Sequence, residues 1–272
     1  MDKERLDVLV HARGLAESRE SAKAAIMSGN VYVGGNRADK PGHEFPIDAD
    51  IEVKTAPAYV SRGGLKLEKA LAEFSIDPDG VVCLDCGAST GGFTDCLLKR
   101  GAKLVYAVDV GYGQLAWKIR IDPRVRVMER TNIRHATAGM FDPKPGLAVI
   151  DVSFISLKLV LPVVKQILTP KGGAVCLIKP QFEAGRDKVG KKGVVRDPET
   201  HRSVLMSFIS NASSERFAVI GITHSPVKGP EGNIEFLSYL RKSEEGGAGL
   251  YPDAHTIDPA EAVKKAHEEL LS

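Results

Sequence analysis

The fold of most of this chain can be argued from VVCLDCGASTGGFTDCLLK, residues 81–99. An apolar run ends at Asp85, a turn of small and glycine-rich residues follows, and a helical pattern begins at Gly92. This order predicts a strand, a tight turn and a helix. Such a turn presents the amino end of the helix to a ligand, so it is a candidate binding site.

The residues of the turn restrict the class of that ligand. A nucleoside triphosphate loop carries Lys and Ser or Thr after its last glycine, whereas Phe93 follows the glycine pair here. A dinucleotide turn has the order G-x-G-x-x-G, but Ser89 stands where the middle glycine would meet the pyrophosphate. The turn is therefore not built for phosphate, and S-adenosylmethionine is the remaining common ligand of such a fold.

Three features favour S-adenosylmethionine. Glycines at positions 87, 91 and 92 permit a close approach of its methionine part. Asp109 in VYAVDVG is expected to bind the ribose hydroxyls, and Asn132 in MERTNIRH to lie near the adenine. The alternative is an α/β domain whose glycine-rich turn does not bind this cofactor. The predicted cofactor-binding residues are Asp85, Gly87, Ser89, Thr90, Gly91, Gly92, Phe93, Asp109, Asn132 and Asp151.

From residue 66 onward, apolar strands alternate with helical stretches, which predicts a parallel sheet covered by helices on both faces. Two later strands, 217–223 and 233–240, predict an antiparallel pair at one edge. The expected fold class is α/β: a doubly wound, Rossmann-like methyltransferase sheet of seven strands with a small N-terminal α+β domain. The other five strands are predicted at 81–85, 104–109, 125–129, 147–151 and 173–179.

Composition excludes several function classes. The net charge of the 272 residues is only +2, so a nucleic-acid partner has to be argued from local patterns. No apolar run approaches the ~20 residues that cross a bilayer, and the first residues lack a signal-peptide core, which predicts a cytoplasmic protein without a membrane partner. The four cysteines lack metal-ligand spacing, so we predict no metal site and four reduced core residues.

Residues 1–57 are predicted to form the N-terminal domain, 58–65 a linker, and 66–272 the larger domain. The sequence of residues 5–35 in the first block, RLDVLVHARGLAESRESAKAAIMSGNVYVGG, resembles the S4 RNA-binding domain. That resemblance implies that two helices present basic side chains to RNA phosphates. The alternative is that these charges are only solvated helix faces, since the block has no net positive charge. The candidate residues are Arg5, Arg13, Arg19, Lys23, Arg37 and Lys40.

The fourth predicted strand and the residues after it, GLAVIDVSFISL, indicate which kind of group accepts the methyl group. Enzymes that methylate exocyclic amines carry prolines after this strand, and here none follows Asp151. A hydroxyl acceptor is therefore favoured over a base. A ribose 2′-hydroxyl is a poor nucleophile and needs a base held against it. A lysine can serve if its pKa falls by about 3 units, which corresponds to ~4 kcal/mol.

Four residues stand where such a sheet gathers its ligands: Lys66, Asp151, Lys179 and Glu235. In this order they resemble the Lys-Asp-Lys-Glu tetrad of the FtsJ-like ribose 2′-O-methyltransferases. The resemblance implies that Lys179 is the base, that Asp151 and Glu235 tune it, and that Lys66 supports the acceptor side. As single residues, Lys66 and Glu235 would more simply be surface charges.

The basic stretch GRDKVGKKGVVR predicts a mobile loop at the mouth of the site that grips substrate phosphates. The alternative is an ordinary solvated loop. Together with the S4-like block, it completes the set of predicted RNA-binding residues. These are Arg5, Arg13, Arg19, Lys23, Arg62, Lys188, Lys191 and Lys192, with Arg186 and Arg196 also in the loop.

An S4-like block followed by an FtsJ-like domain resembles the TlyA family, also called hemolysin A, along essentially the whole chain. Matching words include YVSRGGLKL, LIKPQFEAGR and GVVRDPETH. The resemblance implies 2′-O-methylation of cytidine in ribosomal RNA within ribosomal particles. The short start, MDKERLD, favours the 50S subunit over both subunits. The alternatives are a non-catalytic assembly factor that binds S-adenosylmethionine, a membrane-acting haemolysin and a base methyltransferase.

Overall fold

The structure is a computed structural model that describes residues 2–54, 58–190, 192–243 and 258–271. The chain divides into two compact units, residues 1–57 and 58–272. Within the described ranges, no helix is both long enough and apolar enough to cross a membrane.

The first unit is a small α+β fold. Its helices α1 and α2 pack over short strands, and Leu6, Val10, Ile26 and Val31 are fully buried between them. Strand β1 pairs with β4, and β2 pairs with both β3 and β5, all antiparallel. The elements are β1 Lys3–Arg5, α1 Leu6–Ala12, α2 Arg19–Met27, β2 Val31–Val33, β3 Asn36–Ala38, β4 Glu44–Pro46 and β5 Ile51–Val53.

The second unit is built around a seven-stranded sheet in the order β11-β12-β10-β9-β6-β7-β8. Strands β6 to β10 run parallel, and β12 is antiparallel to both β10 and β11. This confirms the predicted class. The strands are β6 Val82–Cys86, β7 Leu104–Val108, β8 Val125–Met128, β9 Leu147–Ile150, β10 Gly173–Ile178, β11 Phe217–His224 and β12 Phe236–Lys242.

Helices cover both faces of this sheet, so β9 and β10 are buried along their whole length. The cysteines at 83, 86, 96 and 176 are free and buried, as predicted. The helices are α3 Gly63–Glu73, α4 Gly92–Lys99, α5 Trp117–Arg120, α6 Leu161–Ile167, α7 Pro180–Glu183, α8 Pro198–Ser214 and α9 Pro259–Leu271.

The structure differs from the sequence-based expectation at residues 58–65. Tyr59 is buried in the core of the second unit, and α3 begins at Gly63, inside the predicted linker. A Cβ on Gly64 would overlap the Tyr59 ring, so the glycine pair permits close packing here. The glycines of the predicted linker allow the entering chain to lie directly against the helix.

Sheet topology brings the predicted chemistry to one edge. Asp109, Asp151 and Lys179 each follow the last residue of a parallel strand, so they lie at the carboxyl edge of the sheet. Glu235 precedes β12, and because β12 is antiparallel to β10 its first residue, Phe236, pairs with Ile178 at the same edge. Glu235, which follows Lys179 by 56 positions in the chain, therefore lies at the same edge of the sheet as Lys179.

Candidate active site

The turn after β6 is shaped by glycines and by one acid. Gly87 and Gly91 have φ angles of +87° and +93°. A Cβ on Gly87 would overlap the carbonyl oxygen of Asp151, so no larger residue fits there. Asp109 holds the turn from the next strand, since its Oδ2 accepts a hydrogen bond from the Ser89 N–H at 2.8 Å and its Oδ1 accepts one from the Gly111 N–H at 2.7 Å.

A cavity of about 190 Å³ opens beside this turn. The catalytic candidates Lys66 and Asp151 line it together with predicted cofactor residues, so two members of the predicted tetrad lie beside the turn. The predicted residues in its wall are Gly87, Ser89, Thr90, Gly92, Phe93 and Asp151, and Arg62, predicted for RNA, lies there too. Sequence reasoning missed Ser61, Gly63, Ala88 and Pro230, which also line it.

Asp85 lies beneath the turn and does not line that cavity. It is fully buried; its Oδ2 accepts a hydrogen bond from the Thr94 hydroxyl at 2.6 Å, and its Oδ1 has no hydrogen-bond partner. Burial raises the pKa of this carboxyl to about 7, although the Thr94 hydrogen bond opposes that rise. Asp85 therefore supports the turn from within, and direct contact with a cofactor stays a prediction.

Asn132 is exposed near the end of the third strand and does not line the cavity. Its Oδ1 accepts a hydrogen bond from the Arg134 N–H at 3.1 Å and begins a short 3-10 turn. The neighbouring Thr131 N–H donates to the Asp109 carbonyl at 2.9 Å, which keeps this segment beside the predicted ribose site. Its contact with adenine remains a prediction.

Lys66 and Glu235 form a buried ion pair. Lys66 Nζ lies 2.5 Å from Glu235 Oε2, and the two residues are 7% and 1% exposed. Burial raises the pKa of Glu235, and the charges of Lys66 and Lys179 oppose that rise. The charge of Asp151 adds to it, so Glu235 senses the other three members of the predicted tetrad.

Lys179 and Asp151 form a second close pair. Lys179 Nζ lies 2.5 Å from Asp151 Oδ1, but the contact lacks hydrogen-bond geometry, so it is an ion pair. The same Nζ donates a hydrogen bond to Ser153 Oγ at 2.9 Å. Sequence reasoning missed Ser153, although its position two residues after Asp151 in DVSF was the available signal.

An aromatic pair lies beside Lys179. Phe154 is 90% exposed and has a φ of +63°, which is unusual for a residue with a large side chain. Its ring centroid is 5.1 Å from that of Phe182, and Lys179 Nζ is 6.0 Å from the Phe182 centroid. Glu183 fixes the following residues, since its carboxylate accepts hydrogen bonds from Ser156 Oγ at 2.7 Å and from the Leu157 N–H at 2.8 Å.

The basic loop follows α7. Lys188, Lys192, Arg186 and Arg196 are all exposed there, while Lys191 lies outside the described residues. The side chain of Asn233 holds the backbone of this loop at residues 193 and 195. The loop predicted to be mobile therefore has a defined anchor.

In the first unit, all four candidate RNA-binding arginines, Arg5, Arg13, Arg19 and Arg37, have hydrogen-bond partners within the protein. Arg5 and Arg19 contact the buried Asp7 at 3.0 and 2.9 Å, while close to half of each arginine side chain stays exposed. Burial alone would raise the pKa of Asp7, but the two arginines outweigh it and lower the pKa. Arg13 donates to the carbonyl oxygens of Ile47 and Ala49. Lys23 is partly exposed.

The residues at the cavity fit S-adenosylmethionine. The glycine-rich turn leaves room for a close approach, and Asp109 keeps acceptor capacity on both oxygens beside it. The Oδ1 of Asp85 is an unpartnered buried oxygen beneath the turn. Among the described residues, no group of three or more possible ligands could hold a metal ion.

Comparison with known proteins identifies the family of this chain. The family model of the FtsJ-like methyltransferases matches residues 59–242, and that of the S4 domain matches residues 4–51. A Bacillus subtilis protein named "Putative rRNA methyltransferase YqxC" is 54% identical over 98% of this chain and 95% of its own length. The Mycobacterium tuberculosis protein named 16S/23S rRNA (cytidine-2′-O)-methyltransferase TlyA is 44% identical over 87% of this chain and 89% of its own.

A solved structure agrees as well. The "Putative hemolysin" from Streptococcus thermophilus is 47% identical, covers 99% of this chain and 97% of its own, and superimposes with a TM-score of 0.75. Likeness of this extent, in sequence and in structure, reflects common descent. The chain belongs to the TlyA or hemolysin A family of FtsJ-like methyltransferases, whose cofactor is S-adenosylmethionine.

Proposed function

We propose that this protein methylates the ribose 2′-hydroxyl of a cytidine in ribosomal RNA, within ribosomal particles and therefore in the cytoplasm. The observation that carries the proposal is the pairing of Lys179, 2.5 Å away, with Asp151, which lines the cofactor cavity. A lysine that ends an apolar strand and contacts both a carboxylate and a hydroxyl is suited to proton transfer.

Each residue of the site has its own role in the proposed reaction. Lys179 Nζ is assigned as the acceptor of the 2′-hydroxyl proton, and Asp151 and Ser153 hold this nitrogen in place. Glu235 holds Lys66 in the cavity wall, where the lysine ammonium can bind the acceptor oxygen. When bound, S-adenosylmethionine supplies an electrophilic methyl group. Asp109 and the glycine-rich turn provide its binding surface.

Several features support an RNA substrate. The S4 family model matches residues 4–51, and the named relatives carry rRNA in their names. The exposed ring of Phe154 offers a stacking surface for a nucleobase close to Lys179, as single-stranded or flipped-out nucleotides require. Exposed Lys188 and Lys192 would bind flanking phosphates.

The test uses purified protein, methyl-labelled S-adenosylmethionine and unmodified 30S and 50S subunits. Wild type and Lys179→Ala are compared, and labelled RNA is digested to nucleosides. We expect label in 50S RNA on a 2′-O-methylated cytidine, and none with the variant. Label on a base, or no label on either particle despite S-adenosylmethionine binding, would overturn the proposal, and the second result would favour an assembly factor.

Naked 23S RNA and liposomes complete the experiment. Methylation of free RNA at the rate seen with 50S subunits would remove the ribosomal particle from the proposal. Liposome leakage at micromolar protein would support the haemolysin alternative, and we expect none. Label in 30S RNA as well would extend the substrate to both subunits, as the name of the Mycobacterium relative states for that protein.

A further inference from the structure

Two loops meet next to the catalytic pairs. One is the basic loop, residues 185–196, which carries Lys188, Lys192 and Arg196. The other is the segment 225–235, which connects β11 to β12 and ends at Glu235. The side chain of Asn233 joins them.

Asn233 is 1% exposed, and both ends of its amide are used on the basic loop. Its Oδ1 accepts a hydrogen bond from the Val195 N–H at 2.9 Å, and its Nδ2 donates to the Gly193 carbonyl at 2.9 Å. The loop also closes on itself, because the Gly193 N–H donates to the Gly190 carbonyl at 2.8 Å. The Asn233 amide is therefore one of the contacts that hold the backbone after Lys192.

The segment that carries Asn233 also contacts Glu235 through its backbone. The Asn233 carbonyl accepts from the Gly229 N–H at 2.9 Å, and the Glu235 carbonyl accepts from the Ser225 N–H at 2.8 Å. A Cβ on Gly229 would lie 2.7 Å from Glu235 Oε1, so the Gly229 backbone lies directly against the carboxylate. Pro230 of the same turn lines the cofactor cavity.

We propose that Asn233 is a positioning residue that holds the basic loop in register with Glu235, so that binding of RNA phosphates by the loop also sets the acceptor ribose at the tetrad. The inference rests on the proposed function, because it assigns RNA phosphate as the ligand of the loop. It predicts that Asn233 affects RNA binding through Lys188 and Lys192, without affecting the cofactor.

Loss of the amide would leave the buried Val195 N–H and the Gly193 carbonyl without partners, so the loop would leave its course. For Asn233→Ala we expect ~10-fold weaker binding to 50S subunits, an affinity for S-adenosylmethionine within about 2-fold of wild type, and a shallower salt dependence. Each lost phosphate contact lowers the slope of log K against log salt by about 0.7–0.9. Asn233→Asp keeps the acceptor for Val195 but loses the donor to Gly193, so it should restore part of the affinity.

A double-mutant cycle tests the route of the effect. Lys188→Ala/Lys192→Ala is measured with and without Asn233→Ala, and Asn211→Ala on α8 is the control. If Asn233 acts through the loop, its replacement adds less than about 2-fold once the two lysines are gone. Full additivity, or wild-type binding by Asn233→Ala, would overturn the inference. A loss of cofactor affinity equal to the loss of RNA affinity would do the same, because it would mean a general structural role.

The proposed function fails separately. If the double lysine variant binds 50S subunits with wild-type affinity and salt slope, the loop does not bind RNA phosphate. If wild type transfers no methyl group to RNA, the enzymatic proposal fails whatever the loop does. Neither of these two measurements involves a change at Asn233. A failure of the proposed function is therefore distinguished from a failure of the inference about Asn233.

Discussion

Lys66 and Glu235 stand 169 positions apart in the chain, and their charged atoms lie 2.5 Å apart inside the second unit. Two ionised side chains that are removed from water gain from each other about what their burial costs. Removal of either one alone leaves the other as an unpaired buried charge. The pair is therefore valuable to the fold only while it is intact, which suggests that it is present for chemistry.

We expect Lys66→Met to lower the free energy of unfolding by about 3–5 kcal/mol, because Glu235 then stays buried without a countercharge. Lys66→Met/Glu235→Leu should recover most of that loss, since a well-packed apolar pair is often as stable as a buried ion pair. Both variants should lack methyl transfer. Urea unfolding of the three proteins measures the stabilities.

The surface pair Lys264 and Glu268 on α9 is the matched control, because both side chains are exposed and 3.9 Å apart. Its removal should change stability by less than about 1 kcal/mol. A double variant of Lys66 and Glu235 that is as unstable as the single variant would show that packing, and not charge, determines the loss.

Replacement of Lys179 should lower kcat much more than replacement of Ser153. Lys179→Ala removes the proton acceptor, and we expect kcat to fall by about 10²–10⁴-fold with unchanged affinity for S-adenosylmethionine. Ser153→Ala removes only the hydrogen bond that orients Nζ, so a fall of about 10-fold is expected. Lys158→Ala, an exposed lysine close by in the chain, should leave kcat unchanged. Equal losses for Lys158 and Lys179 would contradict the assignment of the base.

Phe154 should matter for RNA and not for folding. Its ring is exposed, so Phe154→Ala should leave the unfolding temperature within a degree or two. Loss of one stacked base corresponds to about 1–3 kcal/mol, so we expect KM for 50S subunits to rise ~10-fold or more. Phe154→Gly suits the positive φ angle, and Phe154→Trp should restore KM. Leu159→Ala, an exposed apolar neighbour in sequence, is the control, and equal effects at both positions would count against stacking.

Asp85 should give stability a pH dependence of defined sign. Burial raises the pKa of this carboxyl in the folded protein to about 7, from an ordinary value of 3.8. Between these pH values the folded state keeps a proton that the unfolded state has released. Stability from this group is therefore full below pH ~4, falls as pH rises, and is lost above pH ~7.

Asp85→Asn removes that dependence. The stability deficit of wild type relative to Asp85→Asn should grow between pH 4 and pH 8, by no more than about 4 kcal/mol. Urea unfolding at four pH values in this range measures it, with the exposed Asp187→Asn as a control that should follow wild type. A constant difference across the range would show that Asp85 does not titrate there.

Much of the site was accessible from the sequence because strand ends are local signals. An apolar run that stops at Asp151 or Lys179 predicts a strand with a polar residue at its end. Because the strands are parallel, these strand ends lie at the same edge of the sheet. Even Glu235 followed, once the last two strands were assigned as antiparallel. The order of the four residues could then be matched to a known tetrad.

The sequence could not show contacts that depend on how distant loops close. Ser153 and Asn233 are short polar residues of a common kind, and only the folded loops bring them to Lys179 and to the basic loop. Likewise, Arg5 and Arg19 were predicted to face RNA phosphates, and the sequence did not show that a buried Asp7 pairs with both. Pairing across 12 positions of a helix-turn-helix unit has no signature in the linear pattern.

Strand β12 lies between β10 and β11 but is synthesised after both. Until residue 235 has emerged from the ribosome, β10 has no neighbour on that side and Lys66 has no Glu235 to pair with. A nascent chain can thus hold the glycine-rich turn and Lys179 while Glu235 is still missing. Insertion of this one strand therefore completes the buried ion pair only when nearly the whole of the second unit has been synthesised.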